Sequence, residues 1–200
     1  MADHEETAEQ KIILATIDRI EKEGLSNITI RGIAEEAGVN IAAVNYYFRS
    51  KDNLINLVLK TTADHMFGDL TEILERKDIS QRDALKELCI YLIEGSNRFP
   101  RITRAQILEP FISDKGDNYF IQRFKEYFPS FIRLCMHPEK KGDQGELYPV
   151  FASFLSGIML PALMPFLFSG IESLDFSNEN TRNIYIEKLL DLYLPIFNGV

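Results

Sequence analysis

The stretch Thr29-Ile-Arg-Gly-Ile-Ala-Glu-Glu-Ala-Gly-Val-Asn-Ile-Ala-Ala-Val-Asn-Tyr-Tyr-Phe-Arg-Ser-Lys51 decides how this chain of 200 residues folds. Its apolar positions run at helical spacing twice, with one interruption. Thr29 is a good helix N-cap, and Ile30, Ile33, Ala34 and Ala37 then recur at i, i+3, i+4 and i+7. Gly38 stops that run, because a sharp exit from a helix usually needs a positive φ. Asn40 can cap a second short helix on which Val44 and Phe48 lie one turn apart, with Val39 ahead of them facing the same way. Ala34 and Ala37 are small where two such helices would cross. The outward face of the second helix is then Ile41, Ala42, Asn45, Tyr46 and Arg49, with Ala43 and Tyr47 at its borders. This pattern predicts a helix-turn-helix whose second helix can enter a DNA major groove.

Helical rhythm continues on both sides. Residues 8–23 place Ile13, Ile17 and Ile20 on one stripe, with Gly24 as a stop. Ser50 caps a helix with Asp52 in its first turn and Leu54, Leu57 and Val58 facing inward, running to about Arg76. Ser80 and Asp83 open the next, which carries Leu85, Leu88, Cys89, Leu92 and Ile93. Residues 117–136 are helical and aromatic-rich, 147–171 are apolar throughout, and a last helix spans about Asn178 to Phe197. No strand-like alternation is long enough to count, so the expected fold class is all-α. The uncharged segment 147–171 has the length of a membrane span, but Pro149, Pro161 and Pro165 interrupt it and no basic cluster flanks it. A buried helix that also contacts a second subunit is the better expectation.

The ordered string of residues resembles the tetracycline-repressor (TetR) family of bacterial transcriptional regulators. The resemblance covers roughly residues 10–60 and rests on Ile13-Leu14, Gly24, Thr29-Ile-Arg31, Ile33-Ala34, Ala37-Gly38-Val39, Tyr46-Tyr47-Phe48, Ser50-Lys51 and Leu54. It implies a three-helix DNA-binding domain, here residues 1–50, followed by a helical ligand-binding and dimerising domain, 51–200. Carried over by position, the family's phosphate contacts fall on Thr29, Tyr46, Tyr47 and Lys51, and its base-facing positions on Ile41, Ala42, Ala43 and Asn45. Arg31, as a backbone clamp or a surface ion-pair residue, and Asn40 complete the candidate DNA-binding set. Two positions depart from the family's habit: Asn45 is commonly Tyr, and Tyr47 is often His. Asn can pair bidentately with adenine, and Ala or Ile can meet a thymine methyl, so an A/T-containing half-site is expected.

Charge is compatible with that expectation only locally. The chain carries 22 Lys and Arg against 30 Asp and Glu, a net charge of −8, which is unfavourable for phosphate binding as a whole. Within residues 25–60, however, Arg31, Arg49, Lys51 and Lys60 outnumber Glu35, Glu36 and Asp52. Two cysteines, Cys89 and Cys135, have no metal-like spacing and make no disulfide framework. The acidic start, Met1-Ala-Asp-His-Glu-Glu, does not resemble a secretory leader, so the expected compartment is the cytoplasm.

No catalytic constellation stands out. His4, His65 and His137 are scattered, and neither a Gly-rich phosphate loop nor a Gly-x-Ser-x-Gly occurs. The expectation is a non-enzyme without cofactor or metal: a one-component regulator, most simply a repressor, that binds palindromic operator DNA as a homodimer. The alternative is a helical small-molecule or partner-binding protein that does not read DNA. The dimer contact is expected from 147–169 and 178–197, because Ile184, Ile186, Leu189, Leu190, Leu192, Tyr193, Leu194, Ile196 and Phe197 make the last helix apolar on too many sides for a surface helix. Of 22 aromatic residues, only Tyr46, Tyr47 and Phe48 precede residue 61. A pocket for an apolar or amphipathic effector is therefore expected in the C-terminal part. Its candidate lining residues are His65, Tyr91, Phe111, Phe120, Phe124 and Phe154, with Gln106 or Glu109 as polar anchors; each is equally a candidate for plain core.

Overall fold

The computed structural model describes residues 6–112, 118–135 and 144–199, without the side chains of 109–112, 144 and 146. Among these it is all-helical, in agreement with the sequence. The helices are α1 (Ala8–Glu23), α2 (Ile30–Glu36), α3 (Ile41–Phe48), α4 (Lys51–Glu75), α5 (Gln81–Arg98), α6 (Pro100–Ile112), α7 (Tyr119–Cys135), α8 (Gln144–Leu163) and α9 (Glu179–Asn198). Two short 3-10 turns, Pro165–Phe168 and Glu172–Leu174, lie between α8 and α9. No described helix is long and apolar enough to cross a membrane.

Two compact units form, one from the residues up to His65 with Arg101–Phe120, the other from Met66–Pro100 with the residues from Ile121 onward. The first unit has a core of Ile12, Ile20, Ile33, Val44, Phe48, Leu54 and Val58, joined by Ile102 of α6. Each fully buried Ile or Phe there contributes about 1.5–3 kcal/mol. The inward stripe of α1 is Ile12, Ala15, Thr16 and Ile20, with Ile13 and Ile17 only partly buried beside it. A threonine can take a core position here because its hydroxyl donates to the Ile12 carbonyl at 2.7 Å. The start of α6 is fixed by Glu21, whose carboxylate accepts from the Arg101 N–H at 3.1 Å and the Ile102 N–H at 2.8 Å. A side chain 80 residues earlier thus serves as the helix cap.

In the second unit α5 packs against α8 and α9. Leu85, Leu88, Cys89 and Ile93 meet a layer built from Phe151, Phe154, Ile158, Ile186, Leu190 and Phe197, all buried. α8 and α9 approach closely at Gly157, where an added Cβ would lie 2.9 Å from a Leu189 methyl. The Tyr185 hydroxyl donates to the Gly157 carbonyl at 2.6 Å across the same contact. The helix expected to run through 147–169 stops at Leu163. Pro165 lacks the N–H that would continue it, and Met164 before it is turned out of the helical region at φ −130° and ψ 50°.

Candidate nucleic-acid interface

Two side-chain caps and one glycine shape the N-terminal reader. Thr29 Oγ1 accepts from the Gly32 N–H at 3.1 Å, and Asn40 Oδ1 accepts from the Ala43 N–H at 2.7 Å. Each removes one of the orphan donors at the start of a helix. Gly38 has φ 66°, with nothing within 4 Å of where a Cβ would stand. Backbone conformation, not crowding, therefore calls for glycine here. The Gly38 and Val39 N–H groups donate to the Glu35 and Ala34 carbonyls at 3.2 and 3.0 Å. α2 is thus closed and α3 begun within a few residues.

Helix α3 buries Val44 and Phe48 and turns its opposite side outward. Ile41, Ala42, Asn45, Tyr46, Tyr47 and Arg49 are exposed, and Ala43 is half-buried. Tyr46 is 81% exposed, supported only by an edge-on contact with the Tyr47 ring at 5.4 Å between centroids. Among the described residues, the side chains of Arg31, Asn45, Tyr46 and Tyr47 have no hydrogen-bond partner, so their polar atoms are free for an outside ligand. Lys51 is tethered: its ammonium donates to the Ile28 carbonyl at 3.3 Å, leaving two further N–H donors.

The local charge balance is more favourable than the count of residues. Glu36 is engaged by Lys22 and, at 3.4 Å, by Arg19, which also holds Glu23 at 2.5 Å. The hydrogen bond from Lys22 is the main reason that the Glu36 carboxyl sits below the usual carboxylate range, with burial opposing it and the charges of Lys22 and Arg19 adding to it. One of the three acidic groups in 25–60 is thereby neutralised from behind the reader.

The residues expected around an effector are spread over both units. His65 is exposed, and Gln106 is buried with its amide donating to the Leu59 carbonyl at 3.1 Å and Thr62 Oγ1 at 2.9 Å. Phe120 is buried in the same unit. In the other unit Tyr91 donates to Asp69 at 2.7 Å, Phe124 stacks among Phe128 and Phe131, and Phe154 is fully buried against Tyr193 and Phe197. The side chains of Glu109 and Phe111 lie outside the described residues. An open cavity of about 800 Å³ lies instead at the α8–α9 connection, lined by Asn97, Phe166, Phe168, Ile171, Phe176 and Arg182 among others. Arg182 there pairs with Glu94 at 2.9 Å and donates to the Phe176 and Ser177 carbonyls. The signal for this cavity was the aromatic run Pro165-Phe-Leu-Phe168 next to Gly170, which the sequence presents as part of one apolar segment. Burial pushes the Cys135 thiol up to about 12 and raises that of Cys89 as well, so neither is a thiolate near neutral pH.

Comparison with known proteins bears on this geometry. Residues 12–58, which span α1 to the first turns of α4, match the family described as bacterial regulatory proteins, tetR family. The chain is 32% identical over 104 residues to the HTH-type transcriptional regulator RutR of Escherichia coli (strain K12), covering 52% of this chain and 48% of that protein. It is 22% identical over 150 residues to the HTH-type transcriptional regulator YfiR of Bacillus subtilis (strain 168), covering 74% of this chain and 72% of that one. The chain therefore spans about half the length of RutR and more of YfiR. Its fold is similar to that of a TetR transcription regulator from Haloarcula marismortui, with a TM-score of 0.66 and 21% identity over 93% of this chain and 97% of that one.

Proposed function

We propose that this chain, a transcriptional regulator of the TetR family by its DNA-binding helix-turn-helix, is a cytoplasmic repressor that binds a palindromic operator as a homodimer and leaves it when a small apolar or amphipathic molecule binds. The observation that carries the DNA half of this reading is the division of α3: Val44 and Phe48 in the core, and Ile41, Ala42, Asn45 and Tyr46 unpartnered on the other side. Residues 1–50 supply the reader and 51–200 the regulatory part. Asn45 reads an adenine, Ile41, Ala42 and Ala43 meet thymine methyls, and Thr29, Arg31, Asn40, Tyr46, Tyr47 and Lys51 hold the backbone.

The homodimer reading is supported by what α8 and α9 leave uncovered. Ile184, Leu192 and Ile196 of α9 are exposed, Leu192 at 67%, as are Ala152, Ser156 and Leu160 along α8. Such a face is costly in water, and a second copy of the same face covers it with two-fold symmetry. For the effector, the candidates remain His65, Tyr91, Gln106, Glu109, Phe111, Phe120, Phe124 and Phe154, and the cavity at 165–177 is a second seat of suitable size. An effector need favour the released state by only a few kcal/mol to empty half of the operators.

A mobility-shift titration with promoter DNA from the chain's own gene tests the reading. A shift that weakens steeply with salt is expected, since phosphate contacts release counterions. A protein that shifts no duplex at any salt concentration would instead be the helical partner-binding protein of the alternative.

A further inference from the structure

The recognition helix α3 leaves the reader through an unusual residue. Arg49 is the only described non-glycine residue with a positive φ, at φ 66° and ψ −37°. Across it the Ser50 N–H donates to the Phe48 carbonyl at 2.8 Å. An i to i+2 hydrogen bond around a residue of positive φ and negative ψ is a γ-turn of the rare, strained kind. It reverses the chain in a single residue, because α3 ends at Phe48 and Ser50 already caps α4 by accepting from the Asn53 N–H at 3.1 Å. Glycine would adopt this backbone without steric cost, whereas a side chain there is held against its preference. The Arg49 side chain is exposed and makes no hydrogen bond, ion pair or ring contact with any described residue.

Two further facts say where the guanidinium can act. Arg49 directly follows α3, stands two residues before Lys51, and is exposed like Ile41, Ala42, Asn45 and Tyr46. Glu36, one of the three acidic residues in 25–60, is already held by Lys22 and Arg19. The guanidinium is a permanent cation whose N–H donors suit a phosphate oxygen. We propose that Arg49 is a contact to the DNA phosphate backbone, presented by the strained turn at the end of the recognition helix. With Lys51 it forms a two-cation clamp that fixes how deeply and in what register α3 enters the groove. This inference rests on the DNA-binding reading above and adds to it a residue outside the family string.

The test uses Arg49→Gly, which keeps the turn and relaxes it, and Arg49→Lys, which keeps the charge. Binding of the full chain to a labelled random-sequence duplex is followed by fluorescence anisotropy between about 50 and 200 mM salt. The expected result is a log–log salt slope shallower by about 0.9 for each Arg49 in the complex with Arg49→Gly. Arg49→Lys is expected to keep the wild-type slope. The thermal midpoint of Arg49→Gly should hold or rise, which separates lost contact from lost fold. An Arg49→Gly protein with wild-type slope and affinity overturns the proposal while the DNA-binding reading stands. The same loss in Arg49→Lys as in Arg49→Gly also overturns it, because charge would then not be what the residue supplies. Wild-type protein without salt-dependent binding overturns both.

Discussion

The proposed reading gives single residues of the helix-turn-helix separable tasks, and substitutions can tell them apart. Asn45 has an unpartnered amide on the outer side of α3, so Asn45→Ala is expected to cost about 1–3 kcal/mol of operator binding and to relax preference at one base pair per half-site. Lys51→Ala should weaken all duplexes alike and flatten the salt dependence; competition binding against scrambled duplexes distinguishes the two patterns. Gly38 sits at φ 66°, so Gly38→Ala is expected to destabilise the fold by roughly 1–2 kcal/mol in denaturant unfolding, although no atom obstructs the new methyl. Glu36 makes stability depend on acid. Its carboxyl lies lower in the folded protein than in the unfolded chain, chiefly through the hydrogen bond from Lys22. Its contribution is therefore present above the ordinary carboxylate range, near pH 4.3, and lost as pH falls through the lower folded value. Glu36→Gln should remove that part of the acid dependence, read as a thermal midpoint that falls less between neutral pH and pH ~3.5 than in wild type.

At the scale of elements, what was legible in the sequence is what local chemistry determines. Thr29, Asn40, Ser50 and Ser80 are caps whose partners lie three residues away, and the structure shows each bond. Gly24 and Gly38 mark stops for the same reason. Contacts distant along the chain left no such trace. Nothing near Pro100 announces that Glu21 caps α6, and nothing in Ile13 and Ile17 shows that Ile12 and Thr16 are the deeper pair. Aromatic content likewise says how much apolar surface must be covered but not which rings enclose a void. Two expected outcomes follow. Glu21→Gln should cost about 1 kcal/mol, because a charged cap on two N–H groups becomes a neutral one. Phe154→Ala, at the fully buried centre of the α5–α8–α9 layer, should cost about 3–5 kcal/mol, and chemical denaturation measures both.

On the scale of the whole molecule, the account joins an acidic chain to a polyanion through one short segment and requires two copies to do so. With a net charge of −8, the proposed DNA binding would have to be concentrated on α3 and the cations at its end. On the proposed homodimer, the uncovered α8 and α9 faces would seat the second copy; Leu192→Glu is then expected to shift the protein to a monomer in light scattering at micromolar concentration and to abolish cooperative binding at a two-half-site duplex. The measurement that tests the central claim most directly is selection of duplexes from a random-sequence pool by the wild-type protein, followed by sequencing of what is retained. The account predicts enrichment of an inverted repeat with A/T pairs in each half-site. Retention of unpaired, unrelated sequences, or of none above the starting pool, would contradict it.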